Sequence, residues 1–374
     1  MTTIKEVFES LVQHELTIEK DIPTLQPNYD NSKVSVVSLF CGAGGIDLGV
    51  EIAGLEVALQ QPVELQDGAF INKHRNSSIA KTVYALDFCK EAVDTFKTHF
   101  KESTVQHANI RHLQSFPQAD LLLFGFPCPG FSASGPRDFK DERNYLYVHC
   151  CRALKESQPA VFIAENVPGM LTLQGGAIFK QILSDFKDCG YKVVWKILNS
   201  RNYGCCQLRE RVIMVGVRND IDYSYQFPQE THGIGKQVYL TLRECIGDLE
   251  SDPGVYYQGS YSSQYLSRNR KKDWHEQSFT IQASARQAPL HPSSTMNRVS
   301  STKYELVGEH RRLSVREAAR IQSFPDWFSF SVGNTDCSHN TLVDKQFRQI
   351  GNAVPPLMMK HIVKPILEYL KGTI

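Results

Sequence analysis

Cys128 stands in Gly125-Phe126-Pro127-Cys128-Pro129-Gly130-Phe131-Ser132, directly after the apolar run Leu121 to Phe124. Each flanking proline removes a backbone donor and fixes φ near roughly −65°, so the thiol is held in one place at a strand end. A nucleophile needs that; a packing cysteine, the commoner case, does not. Two further stretches favour the nucleophile. Ala160-Val161-Phe162-Ile163-Ala164-Glu165 is a second apolar strand ending in an acid, and Gln207-Leu208-Arg209-Glu210-Arg211 precedes a third, Val212 to Val217. In an open parallel sheet, ligands collect outside the carboxyl ends of the strands. Cys128 and Glu165 should therefore face one crevice, with Arg209 and Arg211 reaching it from a neighbouring loop. Covalent chemistry by a thiol, with a carboxyl group and guanidinium groups beside it, is the expectation.

The elements that must hold these residues alternate along the chain. Val34 to Phe40 reads as a fully apolar strand, followed by Cys41-Gly42-Ala43-Gly44-Gly45 and a helix through Ala53 that Gly54 would cap. Strand, glycine turn and helix together make a cradle for a phosphate or carboxylate. A second strand, Lys81 to Leu86, ends in Asp87-Phe88, where an acid can accept from both hydroxyls of a ribose. Gln60 to Ala80 between them looks like an insertion. Helices over Tyr145 to Leu154 and Ala177 to Cys189, and a strand over Tyr191 to Leu198, continue the alternation. The fold class expected is α/β, a doubly wound, mostly parallel sheet with helices on both faces. Residues 1–33 suggest only packing, and the charged stretch Pro136 to Asn144 reads as a flap over the substrate.

Taken in order, these blocks resemble the DNA cytosine-5 methyltransferases of bacterial restriction-modification systems, from about Val36 to Pro356. The resemblance implies S-adenosylmethionine as methyl donor. Phe40 would lie near its adenine, and Gly42, Gly44 and Gly45 would let backbone approach its methionine part. Asp87 would hold the ribose and Phe88 would flank the adenine. Asn109, in Ala108-Asn109-Ile110, stands where the family usually has an acid, and its amide oxygen can still accept from the adenine amino group. Ile110, Phe126 and Asn352, the last from Gln349-Ile350-Gly351-Asn352-Ala353-Val354-Pro355-Pro356, complete the cofactor set. The resemblance also assigns the chemistry: Cys128 adds to carbon 6 of cytosine, Glu165 protonates N3, and Arg211, with Arg209, binds O2. The Phe126 carbonyl would take the exocyclic amine, burial would keep Glu165 protonated, and the base would be flipped out of the duplex. A tRNA methylase of the same fold and an inactive DNA-binding relative are the alternatives.

At 374 residues, with 41% hydrophobic and 22% charged residues, the chain describes an ordinary globular protein of two lobes. The expected limits are 1–219 for the catalytic and cofactor domain, 220–310 for a target-recognition domain, and 311–374 for a segment returning to the first. The net charge of +1 is uninformative, but between Arg268 and Arg312 nine Arg or Lys face four acids. A basic patch on an otherwise acidic body marks a phosphate-binding face, and double-stranded DNA is the expected partner. Arg268, Arg270 and Arg286 are the expected base readers, Lys271 and Lys272 the phosphate contacts, and Ser132 a further DNA contact. The stretch Gly259 to Pro292 resembles the target lobe of methylases that modify GGCC. The ten cysteines form no metal-type or disulfide pattern and the histidines show no ligand spacing, so reduced thiols and no metal are expected. With no run of 18 apolar residues, no membrane association is expected. A cytoplasmic monomer, paired in function with a restriction endonuclease, completes the expectation.

Overall fold

The computed structural model describes residues 4–127 and 141–372. Seven strands, β1 (Val34–Leu39), β2 (Ala80–Asp87), β3 (Thr104–His107), β4 (Leu121–Phe124), β5 (Val161–Asn166), β6 (Tyr191–Asn199) and β7 (Glu210–Arg218), form one sheet in the order β3-β2-β1-β4-β5-β7-β6. β4 and β5 are buried at every position, which is why they read as unbroken apolar runs rather than alternating ones. Pairing is parallel from β3 through to β5, whereas β7 runs antiparallel to both of its neighbours.

The helices are α1 (Ile4–Thr17), α2 (Gly45–Leu59), α3 (Gly68–His74), α4 (Lys90–His99), α5 (Tyr147–Ser157), α6 (Ala177–Asp188), α7 (Leu242–Ile246), α8 (Val315–Ile321), α9 (His339–Asn352) and α10 (Pro356–Lys371). One sheet face, with Leu122, Phe124, Phe162 and Met214, packs on α5 and α6 through Leu154, Ile182 and Phe186. The other, with Val36, Leu123, Ile163 and Val215, packs on α2 and α10 through Val50, Ala53, Met358 and Ile362. Gly49 permits that second contact, since a Cβ there would lie 2.7 Å from both Met359 Cβ and the Pro356 carbonyl.

Two expectations near the first strand need correcting. α2 does not stop at Gly54 but continues to Leu59, where Gln60 takes the left-handed conformation at φ 55°. Gly54 instead allows a close approach: a Cβ would sit 2.3 Å from Ser78 Oγ in the segment leading to β2. The stretch 60–80 is also more than an insertion loop. Asp67 caps α3 by accepting from the Phe70 N–H at 2.9 Å, and the Trp327 indole donates to the Leu65 carbonyl at 3.0 Å.

From Asp220 to His310 the chain is largely irregular, apart from α7 and a hairpin of β8 (Thr295–Ser300) and β9 (Lys303–Val307). This part has no core of its own: Leu242, Ile246, Ile281, Ala285 and Ala288 share one with residues of α2, α4, α8 and α9. Arg312 ties the same region from beyond residue 310. It donates to the carbonyls of Arg286 (3.0 Å), Gly259 (3.1 Å) and Ser260 (3.1 Å), and lies over the Tyr261 ring at 3.9 Å. Among the described residues, no helix is long and apolar enough to cross a membrane.

Candidate active site

Cys128 and Ser132 lie outside the described residues, as does most of the expected flap, but the chain leading to Cys128 is fully framed. After β4 the backbone passes Gly125, where a Cβ would lie 3.5 Å from Glu165 Oε2. Phe126 follows, buried, with its carbonyl accepting from Asn166 Nδ2 at 3.1 Å; Asn166 Oδ1 in turn accepts from the Val167 N–H at 2.8 Å. The last two residues of β5 therefore brace the approach to the thiol. Sequence reasoning gave Asn166 no role, although an amide beside an acid at the end of an apolar strand must find buried partners. The Phe126 carbonyl, expected to meet the cytosine amine, already has a donor and retains a second lone pair.

Arg211 reaches the crevice from within β7, not from a loop. Because β7 runs antiparallel to β5, its first residues lie beside the last residues of β5, with Ile213 opposite Glu165. Arg211 Nε stands 2.7 Å from Glu165 Oε1, each side chain being 11% exposed. Burial pulls the Arg211 guanidinium down and the Glu165 charge opposes it. Burial of Glu165 was foreseen from the sequence; a guanidinium holding the same carboxylate was not.

Arg209 departs from expectation. It is 1% exposed and its terminal nitrogens are spent on backbone: Nη1 to the Ile281 carbonyl at 3.2 Å, Nη2 to those of Gly351 and Ala353, both at 2.9 Å, while its buried Nε has no hydrogen-bond partner among the described residues. Burial, and then the neighbouring Arg211 charge, hold it well below the usual arginine range. It joins the start of β7 to the small lobe and to the end of α9. Gln207 works alongside it, accepting from the Ile281 N–H at 3.1 Å and donating to the Ile321 carbonyl at 3.3 Å.

At the end of β1 the backbone is strained. Phe40 has φ 54°, an outlier for an aromatic residue, followed by Gly42 at φ 55° and Gly44 at φ 90°. Nothing lies within 4 Å of a Cβ placed on Gly42, so this turn opens onto free space. Gly44, the N-cap of α2, carries no capping side chain, leaving the first N–H groups of that helix available to an anionic group. A Cβ on Gly45 would fall 2.5 Å from the Val354 carbonyl, so the C-terminal motif does return to this turn, with exposed Asn352 two residues earlier. Asp87 accepts from the N–H groups of Gly42 (2.8 Å) and Cys89 (2.7 Å), while burial raises its carboxyl above the usual range. Phe88 beside it is 74% exposed. Asn109 Oδ1 accepts from the Arg111 N–H at 3.2 Å, capping the turn that begins with buried Ile110. An open glycine turn, a bare helix N-terminus, a strand-end acid and an exposed aromatic fit a ligand that joins a carboxylate to a nucleoside.

The expected DNA-reading residues separate. Arg268 and Arg286 are exposed, but Arg270 is only 8% exposed. Its Nε donates to the Tyr265 carbonyl at 3.3 Å and its Nη2 to Gln287 Oε1 at 3.1 Å, so these donors brace the lobe from inside. Lys271 pairs with Asp273 at 2.9 Å and Lys272 with Glu276 at 2.7 Å, which leaves neither lysine free as it stands. No group of His, Cys, Asp and Glu among the described residues could hold a metal ion.

Sheet order, glycine turn and strand-end residues together define an S-adenosylmethionine-dependent methyltransferase fold. Residues 34–368 match the C-5 cytosine-specific DNA methylases, and the chain belongs to that family. It is 51% identical over 353 residues to the Type II methyltransferase M.BsuRI of Bacillus subtilis, covering 91% of this chain and 81% of that one. Identity to the Type II methyltransferase M.BspRI of Lysinibacillus sphaericus is 49% over 380 residues, covering 99% and 89%. A solved DNA modification methyltransferase encoded within a prophage of E. coli superposes with a TM-score of 0.63 at 20% identity, covering 91% of this chain and all of the other. The S. pombe Dnmt2 methyltransferase does so at 0.60 and 17%, covering 90% and 99%. The protein is a DNA cytosine-5 methyltransferase, and S-adenosylmethionine is its methyl donor.

Proposed function

We propose that the enzyme methylates a short G·C-rich palindrome in duplex DNA, GGCC being the leading candidate, through a covalent Cys128 adduct on a flipped-out cytosine. The observation that carries the reading is the Glu165–Arg211 pair set beside Gly125, three residues before the thiol. Carbon 5 of cytosine is too weak a nucleophile to take a methyl group unaided. Addition of the Cys128 sulfur at carbon 6 forms a C–S bond and moves electron density to carbon 5, while Glu165, having taken up a proton from solvent as the base enters, delivers it to N3 and Arg211 turns to hold O2. Phe40, Gly42, Gly44, Gly45, Asp87, Phe88, Asn109, Ile110, Phe126 and Asn352 would hold S-adenosylmethionine, which would supply an electrophilic methyl group to carbon 5, its sulfonium leaving as a neutral thioether. Loss of the carbon 5 proton to water or a side chain then breaks the C–S bond, returns the sulfur as thiolate and restores the N3 proton to Glu165.

Flipping the base costs a few kcal/mol, to be offset by contacts from the small lobe and from residues around Ser132. Exposed Arg268 and Arg286 suit bidentate contacts to guanine, each such pair being worth about 1–3 kcal/mol of discrimination. The same modification would shield a site from a cognate restriction endonuclease, and a monomer suffices for it. Duplexes carrying 5-fluorocytosine in GGCC should trap the protein as a species stable to denaturant, and bisulfite sequencing of plasmid from expressing cells should show methylation at GGCC. Absence of a trapped species removes the adduct; methylation confined to other sequences removes GGCC.

A further inference from the structure

Of the basic residues between Arg268 and Arg312, five are buried or paired with a carboxylate. Arg270 and Arg312 are buried, and Lys271, Lys272 and Arg311 are paired with Asp273, Glu276 and Glu317. Arg268, Arg286, Arg298 and Lys303 are exposed and have no carboxylate partner among the described residues. Two of these four, Arg298 and Lys303, sit near the tip of the β8–β9 hairpin.

That hairpin is exposed along both strands, with Met296, Tyr304 and Leu306 only partly covered. A two-stranded ribbon of this kind buries too little to be stable for its own sake. Its tip, Asn297-Arg298-Val299-Ser300-Ser301-Thr302-Lys303, carries two positive charges, three hydroxyl groups and an amide, and no acid. Glu305 lies opposite Asn297 at the base of this tip, one register position beyond the Arg298–Tyr304 pair, and Glu309 falls further along the chain. Arg298 pairs with Tyr304 and Ser300 with Lys303, so Val299 is the extra residue of a bulge, a device that twists a ribbon and re-aims its side chains. Arg298 Nε donates to the Ser300 carbonyl at 3.2 Å, which keeps the guanidinium at the tip with its terminal nitrogens uncommitted. β9 also lies against the turn Tyr265–Ser267, which leads directly into exposed Arg268.

We propose that the β8–β9 hairpin is an arm that grips the sugar-phosphate backbone of duplex DNA, with Arg298 and Lys303 each contacting a phosphate. The inference rests on duplex DNA as substrate. Binding of the R298A/K303A variant and of the parent would be measured by fluorescence anisotropy, on a GGCC duplex and an unrelated duplex, across a range of salt. The expected result is weaker binding to both duplexes by a similar factor. The slope of log K against log salt should flatten by about two units, since each neutralised phosphate contributes roughly 0.9. R298K/K303R should restore the slope, and kcat at saturating DNA should stay at the parent value. An unchanged slope overturns the proposal, and so does a loss confined to the GGCC duplex, which would mean base reading. Failure of the substrate reading shows separately, as a parent enzyme that does not methylate duplex DNA.

Discussion

Arg211 and Arg209 stand two residues apart, yet one is paired with a carboxylate in the crevice and the other is absorbed by backbone carbonyls. The two should fail differently when removed. Arg209→Met leaves the buried carbonyls of Ile281 and Gly351 without a charged donor, and should lower stability by on the order of 3 kcal/mol in urea unfolding. A midpoint within error of the parent would show that water replaces the guanidinium. Cys128→Ser should reduce methyl transfer to background while DNA binding persists, because an alcohol is scarcely ionised at neutral pH. Near-parental turnover by the serine variant would exclude Cys128 as nucleophile. Glu165→Gln should turn over slowly but still flip the base, since an amide can donate to N3 without transferring a proton; normal single-turnover rates would remove the acid role.

α2 does more than cover the sheet, because it buries two acids one turn apart. Asp47 accepts from Ser38 Oγ and Thr82 Oγ1, both at 3.0 Å, and so fastens the helix to β1 and β2. Glu51 lies 2.5 Å from Arg75 Nε. Burial pushes Asp47 up to about 6 and Glu51 up to about 7. Folded-state values above the unfolded ones mean that the native state keeps protons the unfolded chain has released. Stability from these groups is therefore full below about pH 4 and lost as pH rises to about 7, by a few kcal/mol in all. Their contribution is isolated by comparing the parent with the D47N/E51Q double variant at pH 5 and pH 8. The parent should lose more stability across that interval, and equal losses would show that neither acid is protonated in the fold. At the opposite face, α1 turns out to be tied down by Glu15. It binds Arg111 Nε at 2.6 Å and His149 Nε2 at 2.9 Å, and Arg111 also reaches Glu142 at 3.3 Å. The N-terminal segment thus joins the turn after Asn109 to the first described residues beyond Cys128.

At the scale of the whole molecule, the mostly parallel sheet, the glycine turn after β1 and the acids ending β2 and β5 were legible in the residues. Apolar runs of strand length, glycine turns and strand-end polar groups are local features, and local chemistry determines them. The sequence alone also sufficed to align Cys128, Glu165 and Arg211 with one family. Which basic residues face outward was not legible. Arg268 and Arg270 are two apart in one basic stretch, but the Tyr265 ring and the Gln287 amide draw Arg270 inside, and those partners meet it only in the folded lobe. A charge count could not separate Arg298 and Lys303 from Lys271 and Lys272, because a nearby acid neutralises a lysine only where the backbone brings the two together. The direction of β7 was equally hidden: an apolar strand reads the same both ways, and only its pairing with β5 and β6 carries Arg211 to Glu165. Sequence by itself determined which groups the chemistry has at hand; tertiary structure decided which of them meet, since burial and pairing depend on how the folded backbone sets neighbours, whether four residues apart, as Lys272 and Glu276 are, or across the sheet, as Arg211 and Glu165 are.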